Sequence, residues 1–128
     1  DALPNIAFCI SNENTPPEIY QKPFCQINRI QADTYSLGVL FYMLVFHKRP
    51  PWQKYIRKGI VRSLSSQSKQ QRLATIEKTY LDTIQKAKKT MKGTQLKIAT
   101  ITLDMLHPNP DKRPLLIEVQ KQVKELME

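Results

Sequence analysis

The sequence predicts a mainly α-helical protein, and three patterns support this fold class. Residues 32–46 form an unbroken apolar segment, residues 73–91 carry apolar side chains at helical spacing, and residues 115–127 repeat that spacing. No stretch alternates apolar and polar residues over the length of a strand. With 128 residues, of which 41% are hydrophobic and 24% charged, the chain has the size and composition of one globular domain.

The first part of the chain is predicted to be irregular and to lead into a buried helix. Residues 1–31 contain four of the nine prolines, so we expect loops there with short helical turns at most. Residues 32–46 are apolar on nearly every side, which predicts a helix buried on most of its faces. Asp33 is close to the expected helix start, where a carboxylate is favourable. Pro50–Pro51 should stop the helix, and Trp52 should then pack as a hydrophobic plug.

Three further helices are predicted downstream. The first has one apolar stripe at steps of three and four, formed by Leu73, Ile76, Tyr80, Ile84, Ala87 and Met91. The second is expected over residues 96–106. The third is expected over residues 115–127, with one apolar side formed by Leu115, Val119, Val123 and Leu126. Asn109–Pro110 indicates a turn between the last two helices.

Positive charge is concentrated in the middle of the chain. The net charge is +9, but residues 48–97 alone contain 14 basic and two acidic residues, a local balance of +12. Such a region attracts acidic partners, and three interpretations stay open: a solvated insertion, a surface for an acidic protein, and a nucleic-acid site. Nucleic acid is the weakest, since the region has few aromatic residues and no nucleic-acid motif.

The composition excludes several classes of site. The three glycines lie too far apart to form a glycine-rich phosphate loop. Cys9, Cys25, His47 and His107 lack the spacing of a zinc site, so we expect two free thiols in a reducing compartment and exposed or capping histidines. The longest apolar run, residues 37–46, is too short to span a bilayer. These features favour a cytoplasmic protein without a membrane partner, and a nuclear location is also open.

Three ordered segments carry a family resemblance. They are TPPEIY at residues 15–20, ADTYSLGVL at residues 32–40 with RPPW at residues 49–52, and MLHPNPDKRP at residues 105–114. In this order they resemble the Ala-Pro-Glu signature, the D-x-W-S-L-G-V helix with its closing P-P-(F/W), and the M-L-x-x-D-P-x-x-R-P element of eukaryotic protein kinases. The resemblance covers most of the chain and leaves residues 53–95 largely unmatched.

The resemblance implies a partial protein-kinase-like fold, the helical C-terminal half of the large lobe. Residues 1–31 would be the end of the activation segment and the following loop. Residues 32–128 would be the helical part, with a basic helical insertion near residues 53–95. Glu18 and Arg113 would form a structural ion pair that ties the activation segment to the helical base, a role that suits the planar fork of arginine.

The resemblance also assigns three residues near the missing catalytic parts. Asp33 would anchor the catalytic loop. Ser11 and Asn14 would belong to the substrate-facing loop, in which Ser11 keeps a hydroxyl where a serine/threonine kinase has threonine. The loop departs from the family pattern, because Ile10 replaces a glycine and Asn14 replaces a tyrosine. The serine/threonine type is therefore implied by the helix motif alone.

The catalytic parts of a kinase do not occur in this sequence. A kinase needs a glycine-rich loop, a strand lysine, a helix glutamate, a His-Arg-Asp loop and an Asp-Phe-Gly metal site. None is found, so the chain itself would hold no catalytic, cofactor-binding or metal-binding residue. In the intact domain, ATP and magnesium would support phosphate transfer to protein hydroxyls. The partners would be a protein substrate or another kinase.

Two alternatives to this function stay open. The chain is also compatible with a kinase-lobe mimic, or a pseudokinase-like regulator, that binds another kinase. A basic helical module for nucleic acid is the weaker alternative. The sequence upstream of Asp1 would separate the enzyme from the mimic, because the catalytic motifs of an active kinase would lie there.

Overall fold

The computed structural model describes residues 14–128, except for the side chains of Phe24 and Lys58. This part of the chain contains four α-helices and no strand: α1 Arg29–Phe46, α2 Ser66–Thr90, α3 Gly93–Met105 and α4 Leu116–Met127. Short 3-10 helices connect them, at Pro17–Tyr20, Phe24–Gln26, Gln53–Tyr55, Lys58–Ser63 and Pro110–Lys112. The prediction of a mainly α protein is confirmed for the described residues. None of their helices combines the length and apolar character needed to cross a membrane.

Helix α1 begins three residues before the apolar segment does. The Asn28 side chain accepts a hydrogen bond from the Gln31 backbone N–H at 3.1 Å and caps the first turn. Asp33 therefore lies in the second turn, where it is exposed, and its expected position at the helix start is wrong. The helix ends at Phe46, and the C-cap residue His47 has a φ of 60°, the left-handed conformation that commonly terminates helices.

Helix α1 is buried or half-buried on most of its sides and leaves one narrow strip exposed. The buried side recurs at steps of three and four and is at most 3% exposed, at Ala32, Tyr35, Val39 and Tyr42. On another side, Leu40 is 50% exposed and Leu44 is 74% exposed. The expectation of a helix buried on most faces therefore holds for residues 32–46, apart from one strip that the elements packed on α1 leave uncovered.

The main core surrounds Trp52, which is fully buried between α1 and α2. Its ring packs edge-on against Tyr42 and Tyr80, at centroid distances of 5.9 and 5.3 Å. The predicted stripe of α2 faces this core: Ile76, Tyr80 and Ala87 are buried, and Leu73, Ile84 and Met91 pack against them partly buried. The stripe prediction is confirmed. Within the basic region, the apolar side of α2 therefore packs against the core, and the lysines of this helix lie on its other sides.

Helices α1 and α3 approach each other closely at Gly38. A Cβ atom at this position would lie 2.9 Å from the Met105 Cβ and 3.1 Å from the Leu106 Cδ2. Only glycine allows this approach without a shift of the neighbours. Leu106 therefore packs directly against α1, and Val119 belongs to a second small core cluster with Met105.

Helix α4 buries less of its surface than its apolar spacing predicted. Val119 is 4% exposed, and Leu126 packs partly buried in the second cluster. Leu115 and Val123, which were expected on the same buried side, are 57% and 37% exposed. The spacing predicted the helix correctly but overestimated the buried face, because α4 contacts its neighbours along a narrow strip.

Candidate functional site

Glu18 and Arg113, 95 residues apart in the sequence, form a bidentate ion pair. Arg113 Nη2 donates to Glu18 Oε1 at 2.6 Å, and Nη1 donates to Oε2 at 2.7 Å. The two side chains are 1% and 2% exposed. The contact implied by the family resemblance is present in the structure, with both charged groups removed from water.

Glu18 is held in place by a short proline-initiated turn. Pro16 is extended, and Pro17 occupies the first position of the 3-10 helix Pro17–Tyr20, where its missing N–H costs no hydrogen bond. The Glu18 carbonyl accepts hydrogen bonds from the backbone N–H groups of Gln21 and Lys22, at 2.9 and 3.0 Å. The backbone on both sides of the carboxylate is therefore fixed.

Arg113 connects three separate segments of the chain. Besides Glu18, its Nε donates to the His107 carbonyl at 2.8 Å and its Nη1 donates to the Gln31 carbonyl at 3.0 Å. The guanidinium carbon also lies 4.8 Å from the ring centroid of Tyr35, in cation–π contact. We call Glu18, Arg113 and Tyr35 the buried junction, because they join the turn after Pro16, the start of α1 and the segment after α3.

A chain of polar side chains extends the buried junction. Trp52 Nε1 donates to the Tyr35 hydroxyl at 2.9 Å, and this hydroxyl donates to Gln53 Oε1. Gln53 Nε2 donates in turn to the Thr15 carbonyl at 2.8 Å. Burial raises the pKa of Tyr35 above its ordinary value, so the hydroxyl keeps its proton as a donor. Trp52 thus adds a hydrogen bond to the hydrophobic packing that the sequence predicted for it.

His107 lies beside the junction as a half-buried acceptor. Its Nδ1 accepts a hydrogen bond from the Asn109 backbone N–H at 3.0 Å, and its ring lies 5.3 Å from that of Tyr80. Partial burial lowers the pKa of His107, and the positive charges of Lys112 and Arg113 lower it further. The neutral imidazole is therefore the form that this position favours.

The remaining sequence-predicted residues lie outside this network. Asp33 is exposed on α1. Asn14 is half-buried, and its backbone carbonyl accepts a hydrogen bond from the Ser36 hydroxyl at 3.0 Å. Ser11 lies outside the described residues. The structure thus brings Glu18 and Arg113 together, connects Asn14 to α1 through its backbone, and leaves Asp33 at the surface.

The chemistry available at the buried junction is that of an anchor. Among residues 14–128, no buried side-chain nitrogen or oxygen lacks a hydrogen-bond partner. Both carboxylate oxygens of Glu18 are occupied by Arg113, so the pair offers no free base or proton to a substrate. Within the same residues, no group of three His, Cys, Asp or Glu could hold a metal ion.

Basic side chains surround a second feature, centred on Tyr20. The Tyr20 hydroxyl donates to the Tyr55 carbonyl at 2.7 Å and accepts from the Arg57 backbone N–H at 2.8 Å. A groove of about 590 Å³ lies beside it, and its cations are Lys22, Arg62 and Lys69. A neighbouring groove of about 570 Å³ is lined in part by Arg49, Lys54 and Arg57. Neither groove has an acidic lining residue.

Two parts of the site carried no usable signal in the sequence. The chain of Tyr35, Trp52 and Gln53 is built from side-chain hydrogen bonds, which leave no periodic pattern. The groove around Tyr20 combines segments far apart in the sequence, and only its excess of positive charge was visible.

No protein-family model, curated protein or solved structure matches this chain. The family resemblance is therefore carried by the three motifs themselves.

Proposed function

We propose that this chain is the C-terminal part of the large lobe of a protein kinase domain of the serine/threonine type. The buried Glu18–Arg113 pair carries the proposal. Helical periodicity and composition give no reason for two residues 95 positions apart to meet, whereas the order of the three motifs implies this pairing. The bidentate geometry and the burial of both partners support the same assignment.

In the intact domain, residues 14–128 contribute rigidity rather than reacting groups. Phosphoryl transfer depends mainly on the positioning of nucleotide, metal and acceptor. The buried junction fixes the segment after Pro16 to the helices, and that segment continues back to Asn14 and Ser11 on the substrate side. Asp33 is exposed and thus available to accept hydrogen bonds from the backbone of a catalytic loop. ATP and magnesium would be bound by the catalytic motifs, which this sequence does not contain.

One feature of the chain departs from the resemblance. A kinase lobe would bury the helix corresponding to α1 on most faces, and α1 is buried in this way except along one strip, where Leu40 and Leu44 are exposed. Leu44 also lines a groove of about 320 Å³ between α1, α3 and α4, whose lining is almost entirely apolar. The proposal therefore requires an upstream part of the lobe to cover this groove in the intact domain.

The coding sequence upstream of Asp1 tests the proposal directly. In-frame His-Arg-Asp and Asp-Phe-Gly motifs are expected, and the longer protein should transfer radiolabelled phosphate from ATP to a protein substrate. A start codon directly before Asp1 would contradict an active kinase and would favour the lobe mimic that binds another kinase. The mimic would then be sought by co-purification with kinases from cytoplasmic and nuclear extracts.

A further inference from the structure

The groove beside Tyr20 is a preformed cavity, and all of its charged lining residues are positive. Its walls are the segment around Pro17–Tyr20 on one side, and the 3-10 helix Lys58–Ser63 with the start of α2 on the other. Lys22 and Arg62 are exposed at its edge, and Lys69 is half-buried. We call this cavity the basic groove.

We infer that the basic groove binds an acidic segment of a protein partner. Within residues 14–128, no carboxylate lies within ion-pair distance of Lys22, Arg62 or Lys69. Three cations that share one groove repel each other, and a partner carboxylate would relieve that repulsion while gaining charge-assisted hydrogen bonds. The chain from residue 48 to residue 76 contains no acid that could compete with it.

The frame of the groove is rigid before any partner arrives. Through its hydrogen bonds to Tyr55 and Arg57, the Tyr20 hydroxyl fixes the first wall to the segment that leads into the 3-10 helix Lys58–Ser63. Arg72 Nη1 adds a third bond, to the same Tyr55 carbonyl, at 3.1 Å. A preformed site loses little entropy on binding, so modest charge contacts are sufficient for a measurable affinity.

The lining favours a peptide over a nucleic acid. Single-stranded nucleic acids bind through bases stacked on exposed aromatic rings as well as through phosphates. The ring in this groove, Tyr20, is only 5% exposed, and its hydroxyl is already bonded to protein. Pro23, which is exposed, contributes apolar lining instead. A segment that combines acidic residues with an aliphatic side chain matches this surface.

This inference rests on charge and shape and goes beyond the proposed function. The experiment is fluorescence anisotropy with a short fluorescein-labelled peptide rich in glutamate and carrying a central pair of leucines. Saturable binding is expected, and it should weaken as salt is raised, because exposed charges are screened. The same peptide with glutamine in place of every glutamate should not bind.

A matched pair of triple variants separates the groove from the overall charge. Lys22→Gln, Arg62→Gln and Lys69→Gln together should reduce peptide affinity by about tenfold or more. Lys88→Gln, Lys89→Gln and Lys92→Gln remove the same charge from exposed positions outside the groove, and should change affinity by about twofold or less. If the first triple variant melts at a lower temperature, the single change Arg62→Gln, at an exposed position, is measured in its place.

Three results would overturn the inference. They are equal losses in the two triple variants, equal binding of the glutamine peptide, and the absence of saturable binding. An oligothymidylate that binds more tightly than the peptide, and loses affinity in the groove variant, would assign the surface to nucleic acid instead. None of these readouts depends on kinase activity, so each leaves the proposed function to its own test.

Discussion

Arg113 combines four hydrogen bonds with a buried charge, so it is the side chain whose loss should destabilise the fold most. Removing one partner of a buried ion pair leaves the other charge uncompensated, which costs about 3–5 kcal/mol. We expect a loss of this size in the free energy of unfolding for Glu18→Gln, and at least as much for Arg113→Met, which also frees the carbonyls of His107 and Gln31. Denaturant unfolding measures both.

The double variant and two controls identify the interaction itself. Glu18→Gln with Arg113→Met should cost clearly less than the sum of the single changes, because the pair is lost only once. Lys112→Met, at an exposed neighbouring position, should cost about 0.5 kcal/mol or less. Arg113→Lys should recover little, since an ammonium cannot bind both carboxylate oxygens as the planar fork does. Strictly additive losses would contradict the pairing.

His107 gives the fold a dependence on mildly acidic pH. Its native pKa lies below the ordinary value of 6.5, so near and below that pH the unfolded chain binds more protons than the native protein. The contribution of His107 to the free energy of unfolding is therefore fully present above about pH 7. It falls as the pH drops, first through the pKa of the unfolded chain and then through the lowered native pKa, and below that it stays constant. Urea unfolding from pH 8 to pH 5 should show this loss in the wild type, and His107→Gln should flatten it.

Asp104 provides a check on that assignment because its effect has the opposite sign. Partial burial raises its pKa above the ordinary value of 3.8, so the native carboxyl binds its proton more readily than the unfolded one. Its contribution to stability is lost as the pH rises through the raised pKa, which begins in a more acidic window than that of His107. Asp104→Asn should alter the pH dependence of the free energy of unfolding at the acidic end of the curve. Parallel curves for the wild type and His107→Gln would contradict the prediction for His107.

At the scale of whole elements, the contact of α1 with α3 depends on the missing side chain of Gly38. Alanine is the better helix former by about 1 kcal/mol, yet its Cβ would lie 2.9 Å from the Met105 Cβ. Overpacking of this kind usually costs about 1–3 kcal/mol, so Gly38→Ala should lower the free energy of unfolding. Denaturant unfolding measures it. Gly59→Ala is the control and should be neutral or stabilising, because nothing lies within 4 Å of the added carbon; equal effects would contradict the prediction.

The helices were predictable from the sequence to the extent that their apolar residues recur. The stripe of α2 gave its buried face correctly, because one side of that helix is apolar and the other is not. Helix α1 is apolar all round, so the sequence could not indicate that Leu40 and Leu44 stay exposed. Its start was missed because the Asn28 cap and the polar first turn precede the apolar segment.

The candidate site was predictable only in part, for a different reason. Glu18 and Arg113 were identified through the order of three motifs, since residues 95 apart leave no local pattern. Side-chain hydrogen bonds, such as that from Trp52 to Tyr35, depend on rotamers and on the packing of separate segments. Their partners become visible only when the fold is known.

For the whole molecule, the apolar groove distinguishes this chain from the domain proposed to contain it. Leu44 is 74% exposed, so Leu44→Lys should change the stability of the 128-residue chain by about 0.5 kcal/mol or less. In the longer protein the same lysine would be buried without a partner, and a loss of about 2 kcal/mol or more is expected. The thermal midpoints of both proteins, with and without the change, measure the difference.

The control for this comparison is a leucine of similar exposure away from the groove. Leu81 on α2 is 57% exposed, and Leu81→Lys should be tolerated in both proteins. If Leu44→Lys is tolerated equally well in the longer protein, the upstream region does not cover the groove. The kinase-lobe proposal would then lose the packing that it requires.

The 95-residue separation within the buried junction also bears on how long the folded state lasts. Closing a loop of this length costs about 4 kcal/mol in chain entropy before any contact is gained, so the more local packing of α1, α2 and α3 should form first. Glu18→Gln should then leave the refolding rate almost unchanged and accelerate unfolding, which stopped-flow kinetics would report as a φ-value near zero. A φ-value near one would place the pair in the folding nucleus instead. In the expected case, the pair governs the lifetime of the native protein and has little influence on how quickly it forms.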